Sequence, residues 1–243
     1  RISDHVLSPA LTEYNKRAFY VTHDVTGHIK AGQNAIGVML GNGRYLAPRH
    51  ISVVGTLTYG YPKLLFQLRL EMADGSIQTI VSDESWKLTT DGPIRLNNEY
   101  DGEIYDARRE LPGWNMPAFN DTDWQPATIV EPASPVICAQ MMEPIKVTET
   151  LKPTSVTEPI PGVYIFDMGQ NMVGWCRLRV SGPKGTYVII RHAETLQNDG
   201  TLYYDNLRQA SQMDEYILKG EGVETYELRF TCHGFRYVEL SGF

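Results

Sequence analysis

Phe66–Val81 reads FQLRLEMADGSIQTIV, and its alternation decides the fold class. Phe66, Leu68, Leu70 and Met72 share one face while Gln67, Arg69 and Glu71 share the other, the two-residue period of a half-buried strand. Ala73-Asp74-Gly75 supplies the chemistry of a hairpin turn, and a second strand follows over Ile77–Val81. The same period recurs along the chain. Cys176, Leu178 and Val180 alternate with Trp175, Arg177 and Arg179, and Tyr226, Leu228 and Phe230 alternate with Thr225, Glu227 and Arg229. No stretch keeps apolar residues at i, i+3, i+4 and i+7 for three turns, although Gln209–Leu218 has room for a short helix. The expected fold is mainly β: two tandem antiparallel β-sandwiches of jelly-roll type.

Seven of the 14 prolines fall between Pro126 and Pro161. Proline has no N–H to give a ladder, so such density suits edge strands and connections and places a boundary near Glu143. The expected domains are therefore 1–143 and 144–243. Strands are predicted around Ala18–Val25, Ala35–Leu40, Leu64–Met72, Ile77–Val81 and Trp86–Thr89 in the first. In the second they are predicted around Val163–Asp167, Gly174–Val180, Thr186–Ala193, Asp214–Lys219, Thr225–Phe230 and Arg236–Leu240.

Composition narrows the function. With 22 Lys+Arg against 29 Asp+Glu the 243-residue chain carries a net charge of -7, which gives phosphate backbones and anionic membranes no electrostatic reason to bind. Apolar runs are strand-sized, far below the ~20 residues of a membrane span. Cys138, Cys176 and Cys232 cannot all pair within the chain, and none sits in a C-x-x-C spacing. The chain opens on Arg1 rather than Met and closes on Phe243 after a strandlike run, so it reads as an excerpt of a longer protein.

The densest polar constellation is Asn97–Arg108, NNEYDGEIYDAR. If extended, it puts Asn97, Glu99, Asp101 and Glu103 on one face, where like charges call for solvent, a cation or hydroxyl-rich ligand among them. Asn97, Asn98, Asp101 and Glu103 are thus candidate ligand-binding residues, with Asp101 and Glu103 candidate ligands for Ca²⁺; no cofactor is otherwise required. Asp106 with Arg108 or Arg109 reads as a structural ion pair. His192 and Glu194 share a strand face with Val188 and Ile190 and read as a hydrogen-bonded pair at a sheet end. His5, His23, His28, His50 and His233 are scattered without metal-ligand spacing. Gly41-Asn42-Gly43 lacks the Lys-Ser/Thr and helix of a phosphate loop and reads as a tight turn. Of four tryptophans, Trp86 and Trp175 sit inside strand patterns, whereas Trp114 and Trp124 lie in loop-like surroundings where a ring can stack on sugar; Trp114 joins the candidate ligand-binding set.

Several strings together resemble one family. DVTGHIKAGQNAIGVMLGNGRY (Asp24–Tyr45), ESWKLTTDGPI (Glu84–Ile94) and EYDGEIYDAR (Glu99–Arg108) are similar to the N-terminal β-sandwich of bacterial α-L-rhamnosidases. FDMGQNMVGW (Phe166–Trp175), RHAETLQNDGTL (Arg191–Leu202) and ASQMDEYILKGEGVETYELRFTCHGFRYVEL (Ala210–Leu240) are similar to the concanavalin-like sandwich that follows it. The resemblance implies a periplasmic or extracellular glycoside hydrolase that removes terminal α-L-rhamnose from glycans with inversion, using acids on an (α/α)₆ barrel. No part of this chain matches the barrel, so no catalytic residue is assigned and the 243 residues alone are expected to be inactive. In some relatives the first sandwich binds rhamnose with Ca²⁺, so the expected partner is a rhamnose-containing carbohydrate rather than nucleic acid or membrane. The main expectation is an accessory portion that braces the barrel and holds sugar near it. The alternatives are a free-standing lectin-like module and a purely structural pair of domains.

Overall fold

The computed structural model describes residues 1–47 and 58–243; His50 lies outside them. The described residues are almost all strand, turn and loop, with three single-turn 3₁₀ segments at Thr26–His28, Ala107–Arg109 and Asp205–Leu207. Among them no helix is long and apolar enough to cross a membrane.

The first strands are short: β1 (Ala18–Tyr20), β2 (Gln67–Glu71), β3 (Ile77–Val81) and β4 (Lys87–Leu88). The hairpin β2–β3 has the register the sequence demands, Gln67 opposite Val81 and Glu71 opposite Ile77. Leu68 and Leu70 are half-buried while Gln67, Arg69 and Glu71 face water. Next come β5 (Ile94–Asn98), β6 (Gly102–Asp106), β7 (Gln125–Pro126), which pairs with β4, and β8 (Ile137–Ala139), which runs parallel to β1. Ala35–Leu40 is not paired as a strand. Instead its chain lies against other parts: a Cβ on Gly37 would meet the Trp114 ring at 2.4 Å, and one on Gly41 would meet Phe230 at 2.1 Å. Only glycine permits such approaches.

The remaining strands are β9 (Ser155–Ile160), β10 (Val163–Gly174), β11 (Arg177–Ser181), β12 (Tyr187–Ala193), β13 (Met213–Ile217), β14 (Val223–Glu227) and β15 (His233–Ser241). Seven of them form one sheet in the order β5-β6-β13-β12-β15-β10-β9, and β11 and β14 pair separately. Met213–Ile217 is therefore strand where a short helix also had room, because Asp214 and Tyr216 are buried between its neighbours. Pro159 lies in β9, an edge strand, where a missing N–H costs no ladder bond. The sheet after the proline-rich stretch takes its β5–β6 hairpin from before it: β6 runs parallel to β13, with Glu215 beside Ile104 and Tyr216 beside Tyr105.

The main core lies between this sheet and the β11–β14 pair. Val188, Ile190, Tyr216, Phe235 and Val238 pack with Leu178, Tyr226 and Leu228, and Tyr105 enters from β6. Tyr216 stacks on Tyr226 at 4.8 Å and on Tyr105 at 5.7 Å between ring centres. Each large side chain buried here contributes roughly 1.5–3 kcal/mol. Ile165, Ala193 and Leu202 form a second, smaller cluster, with Leu196 and Tyr204 packed against it.

Candidate functional site

The polar constellation does not run on as one strand. Asn98 Oδ1 accepts the N–H of Tyr100 at 2.8 Å and of Asp101 at 3.4 Å, closing a turn over 99–101. Gly102 then takes φ +110°, and a Cβ there would sit 2.0 Å from the Met213 carbonyl oxygen. The turn presses the backbone onto β13: Met213 N–H donates to the Asp101 carbonyl at 3.0 Å and Gln212 N–H to the Tyr100 carbonyl at 3.1 Å. It also resets the alternation. Glu99 faces outward to Arg44 at 2.8 Å, while Asp101 is 6% and Glu103 0% exposed.

Asn97 Oδ1 accepts the Asn42 N–H at 2.7 Å, and Asn42 Nδ2 donates to the Asn97 carbonyl at 3.0 Å. The Gly41-Asn42-Gly43 turn is thus a clasp on the end of β5. Asp101 Oδ1 accepts from Ser211 Oγ at 3.5 Å. Glu103 uses both oxygens in the core, accepting from the Tyr226 hydroxyl at 3.1 Å and the Arg229 N–H at 3.3 Å. A calcium ion shared by Asp101 and Glu103 would have to displace those donors. Trp114 packs on Gly37, Trp86 donates its indole N–H to the Val81 carbonyl at 3.0 Å, and Trp175 donates to Glu227 at 3.1 Å. Asp106 pairs with Arg108 through both oxygens, at 2.7 and 2.8 Å.

Behind the hairpin lies a buried network that spacing alone does not reveal. Asp214 Oδ1 accepts the Glu103 N–H at 3.0 Å, and His233 Nε2 donates to the same carboxylate at 3.0 and 3.1 Å. His192 stacks on His233 with ring centres 4.2 Å apart. A carbonyl can only accept, so the 3.1 Å contact between His192 Nδ1 and the Gln212 carbonyl places the proton on Nδ1 of the neutral ring. Its Nε2 lone pair then faces the Cys176 thiol at 3.6 Å. Burial holds that thiol protonated, with its pKa pushed up to about 12. Burial, then the neighbouring His233, lowers His192 to about 4, against the opposing pull of Asp214. Burial raises Glu103 to about 7, with the Asp214 charge adding to it.

His192, Asp214 and His233 bring ligand atoms within 4.8 Å of one another, the one such group of three among the described residues. A metal bound by two imidazoles lies in both ring planes, about 2 Å from each nitrogen. Rings stacked 4.2 Å apart with planes inclined by 26° do not meet that condition. The cluster is a buried hydrogen-bond network that ties β6, β12, β13 and β15 together, with His233 Nδ1 left without a partner. Glu194, just beyond β12, stands outside it and accepts from Asn171 at 3.2 Å and Asn206 at 3.1 Å.

Residues 1–149 match the family model described as the α-L-rhamnosidase N-terminal domain, and residues 157–243 match the bacterial α-L-rhamnosidase concanavalin-like domain. The solved α-L-rhamnosidase of Dictyoglumus thermophilum superposes with a TM-score of 0.92 at 49% identity, over 100% of this chain and 26% of that one. The Streptomyces avermitilis α-L-rhamnosidase, solved in complex with L-rhamnose, superposes with a TM-score of 0.92 at 44% identity, over 100% of this chain and 24% of that one. An α-L-rhamnosidase of Formosa agariphila is 42% identical over 100% of this chain and 26% of its own length. This chain thus spans about a quarter of the relatives it matches, and it belongs to the bacterial α-L-rhamnosidase family through that family's N-terminal and concanavalin-like domains.

Proposed function

We propose that this chain is the non-catalytic β-sandwich portion of an exported glycoside hydrolase that removes terminal α-L-rhamnose from glycans with inversion. The observation that carries this reading is full-length similarity to α-L-rhamnosidases confined to about a quarter of each. The acids that the sequence offers most densely suit the same reading. Asp101 and Glu103 are turned into the protein and Glu103 is committed to Tyr226 and Arg229, so neither stands as an opposed pair across an open cleft. The chemistry then belongs to a region outside these 243 residues. The work of the sandwiches is to frame that region and to hold glycan beside it, since a weak site tethered near a catalytic one raises the local substrate concentration.

The purified 243-residue chain is expected to release no chromophore from an aryl α-L-rhamnoside, whereas the longer protein that carries it releases chromophore and gives the inverted sugar anomer by NMR. Turnover by the short chain alone would overturn the assignment. Repeating sugar binding with added calcium and with chelator tests the metal expectation at Asp101.

A further inference from the structure

His5 and His23 come from separate segments of the N-terminal part and meet there, with ring centres 5.1 Å apart and planes inclined by 63°. The backbone beside each is fixed. Ser3 Oγ accepts the His5 N–H at 3.3 Å, and the next residue, Val6, is buried and donates its N–H to the Ile145 carbonyl at 2.9 Å. Beyond His23, Asp24 Oδ1 accepts the Thr26 N–H at 2.9 Å, and the His28 N–H donates to the Val25 carbonyl at 2.8 Å across the 3₁₀ turn. Both histidines are half-buried, so solvent reaches them. His5 Nδ1 itself is buried and has no hydrogen-bond partner.

Buried polar atoms are nearly always paired, and unlike His233 Nδ1, which lies in the sealed core, this one belongs to a ring that a partner can reach from solvent. The second ring says which partner. A tetrahedral ion about 2 Å from one nitrogen of each of two imidazoles holds the ring centres about 5 Å apart. The His5–His23 separation fits that and the two planes cross steeply, whereas His192 and His233 lie face to face at 4.2 Å. Imidazole nitrogen suits transition ions, while Ca²⁺ and Mg²⁺ take oxygen. The neighbouring carboxylates are engaged elsewhere, Asp4 with Lys146 at 3.1 Å and Asp24 with the Thr26 N–H, so the two rings are the protein's ligands. We propose that His5 and His23 together bind a divalent transition ion of the Zn²⁺ class, with water in its remaining positions. The ion ties the start of the chain to the segment beyond β1, and the fold gains stability as the site fills. This site differs in both ligands and ion from the calcium expectation at Asp101 and Glu103.

The test is calorimetric titration of the 243-residue chain, freed of any histidine tag and of bound metal, with ZnCl₂ and, separately, CaCl₂. One Zn²⁺ per chain is expected to bind in the micromolar range, with no saturable heat from Ca²⁺. Neither imidazole chelates alone, so His5→Gln and His23→Gln should each weaken Zn²⁺ binding about tenfold or more, and the double variant little further. His28→Gln, at an exposed histidine outside the pair, should bind as the wild type does. Zn²⁺ should raise the melting temperature of the wild type and of His28→Gln by a few degrees and leave the His5→Gln and His23→Gln melts unmoved. Melting curves in chelator confirm the fold of each variant. With Cu²⁺ in place of Zn²⁺, electron paramagnetic resonance of the wild type should show coupling to two imidazole nitrogens. No saturable Zn²⁺ binding by the wild type, a single coupled nitrogen, or binding that survives either substitution overturns the site; survival would put the ion on the cysteine thiols or the buried histidines instead.

Discussion

Glu103 and His192 are displaced in opposite directions by one cause, because burial disfavours whichever form carries charge. Glu103 rises from 4.5 to about 7, so the stability it contributes is complete below pH 4.5 and is lost as pH climbs through 7. His192 falls from 6.5 to about 4, so its contribution is present above pH 6.5 and is lost as pH drops through 4. Between these limits the two slopes oppose each other, and the wild-type urea midpoint should change little. Glu103→Gln should uncover the histidine slope, with stability falling on acidification, and His192→Asn should uncover the carboxyl slope, with stability falling as pH rises. Each slope is at most about 1.4 kcal/mol per pH unit. Parallel pH profiles for wild type and both variants would refute this. Gly102→Ala is expected to cost about 2–4 kcal/mol or to prevent folding, since a positive φ alone costs about 1–3 kcal/mol and the new methyl would collide with the Met213 carbonyl. A thermal melt reads it directly.

At the scale of elements, the β5–β6 hairpin is held from both sides. β13 pairs with β6 along one edge, and the Asn42 clasp grips Asn97 at the end of β5. Asn97→Ala strands the Asn42 N–H and should cost about 1–3 kcal/mol in a urea melt. Position in the sheet also predicts how backbone amides exchange with solvent. β12 and β15 are interior strands paired on both sides, with Val188, Ile190, His192, Phe235 and Val238 buried, whereas β9 is an edge with Val156 and Ile160 about half exposed. Hydrogen exchange should therefore be slowest in β12 and β15 and fastest in β9. Protection of β9 equal to that of β15 would contradict the strand order. Much of this was legible in the chain: Gln67–Glu71 and Tyr187–Ala193 fall where two-residue alternation puts them, while the strand expected over Thr225–Phe230 forms at Val223–Glu227 and ends before Leu228. Ile94–Asn98 and Gly102–Asp106 were not, because Asn98 and Gly102 break the alternation at a turn whose need arises only from β13 lying beside it.

At the scale of the whole molecule, the second sandwich is completed by chain from the first part. Residues 144–243 alone would lack Glu103 and Tyr105, leave the β13 edge unpaired and strand the Tyr226 hydroxyl in the core. That fragment should be unfolded or aggregated by size exclusion and circular dichroism, whereas a fragment that also includes residues 90–110 on the same chain should recover cooperative unfolding. A stable, monomeric 144–243 fragment would show that the hairpin is dispensable.

The sequence by itself determined that the protein is built from strands, where most of those of the second sandwich lie, that Asp106 forms an ion pair, and which family it belongs to. All of these follow from local periodicity, near neighbours in the chain or strings that survive as strings. Only the tertiary structure decided that Glu103 is a core residue and that Asp214 and His233 join His192 in one network. Those placements depend on segments as much as 123 residues apart meeting across strand pairings and loops, and side-chain direction at such a meeting is set by register and turn geometry that no local pattern encodes.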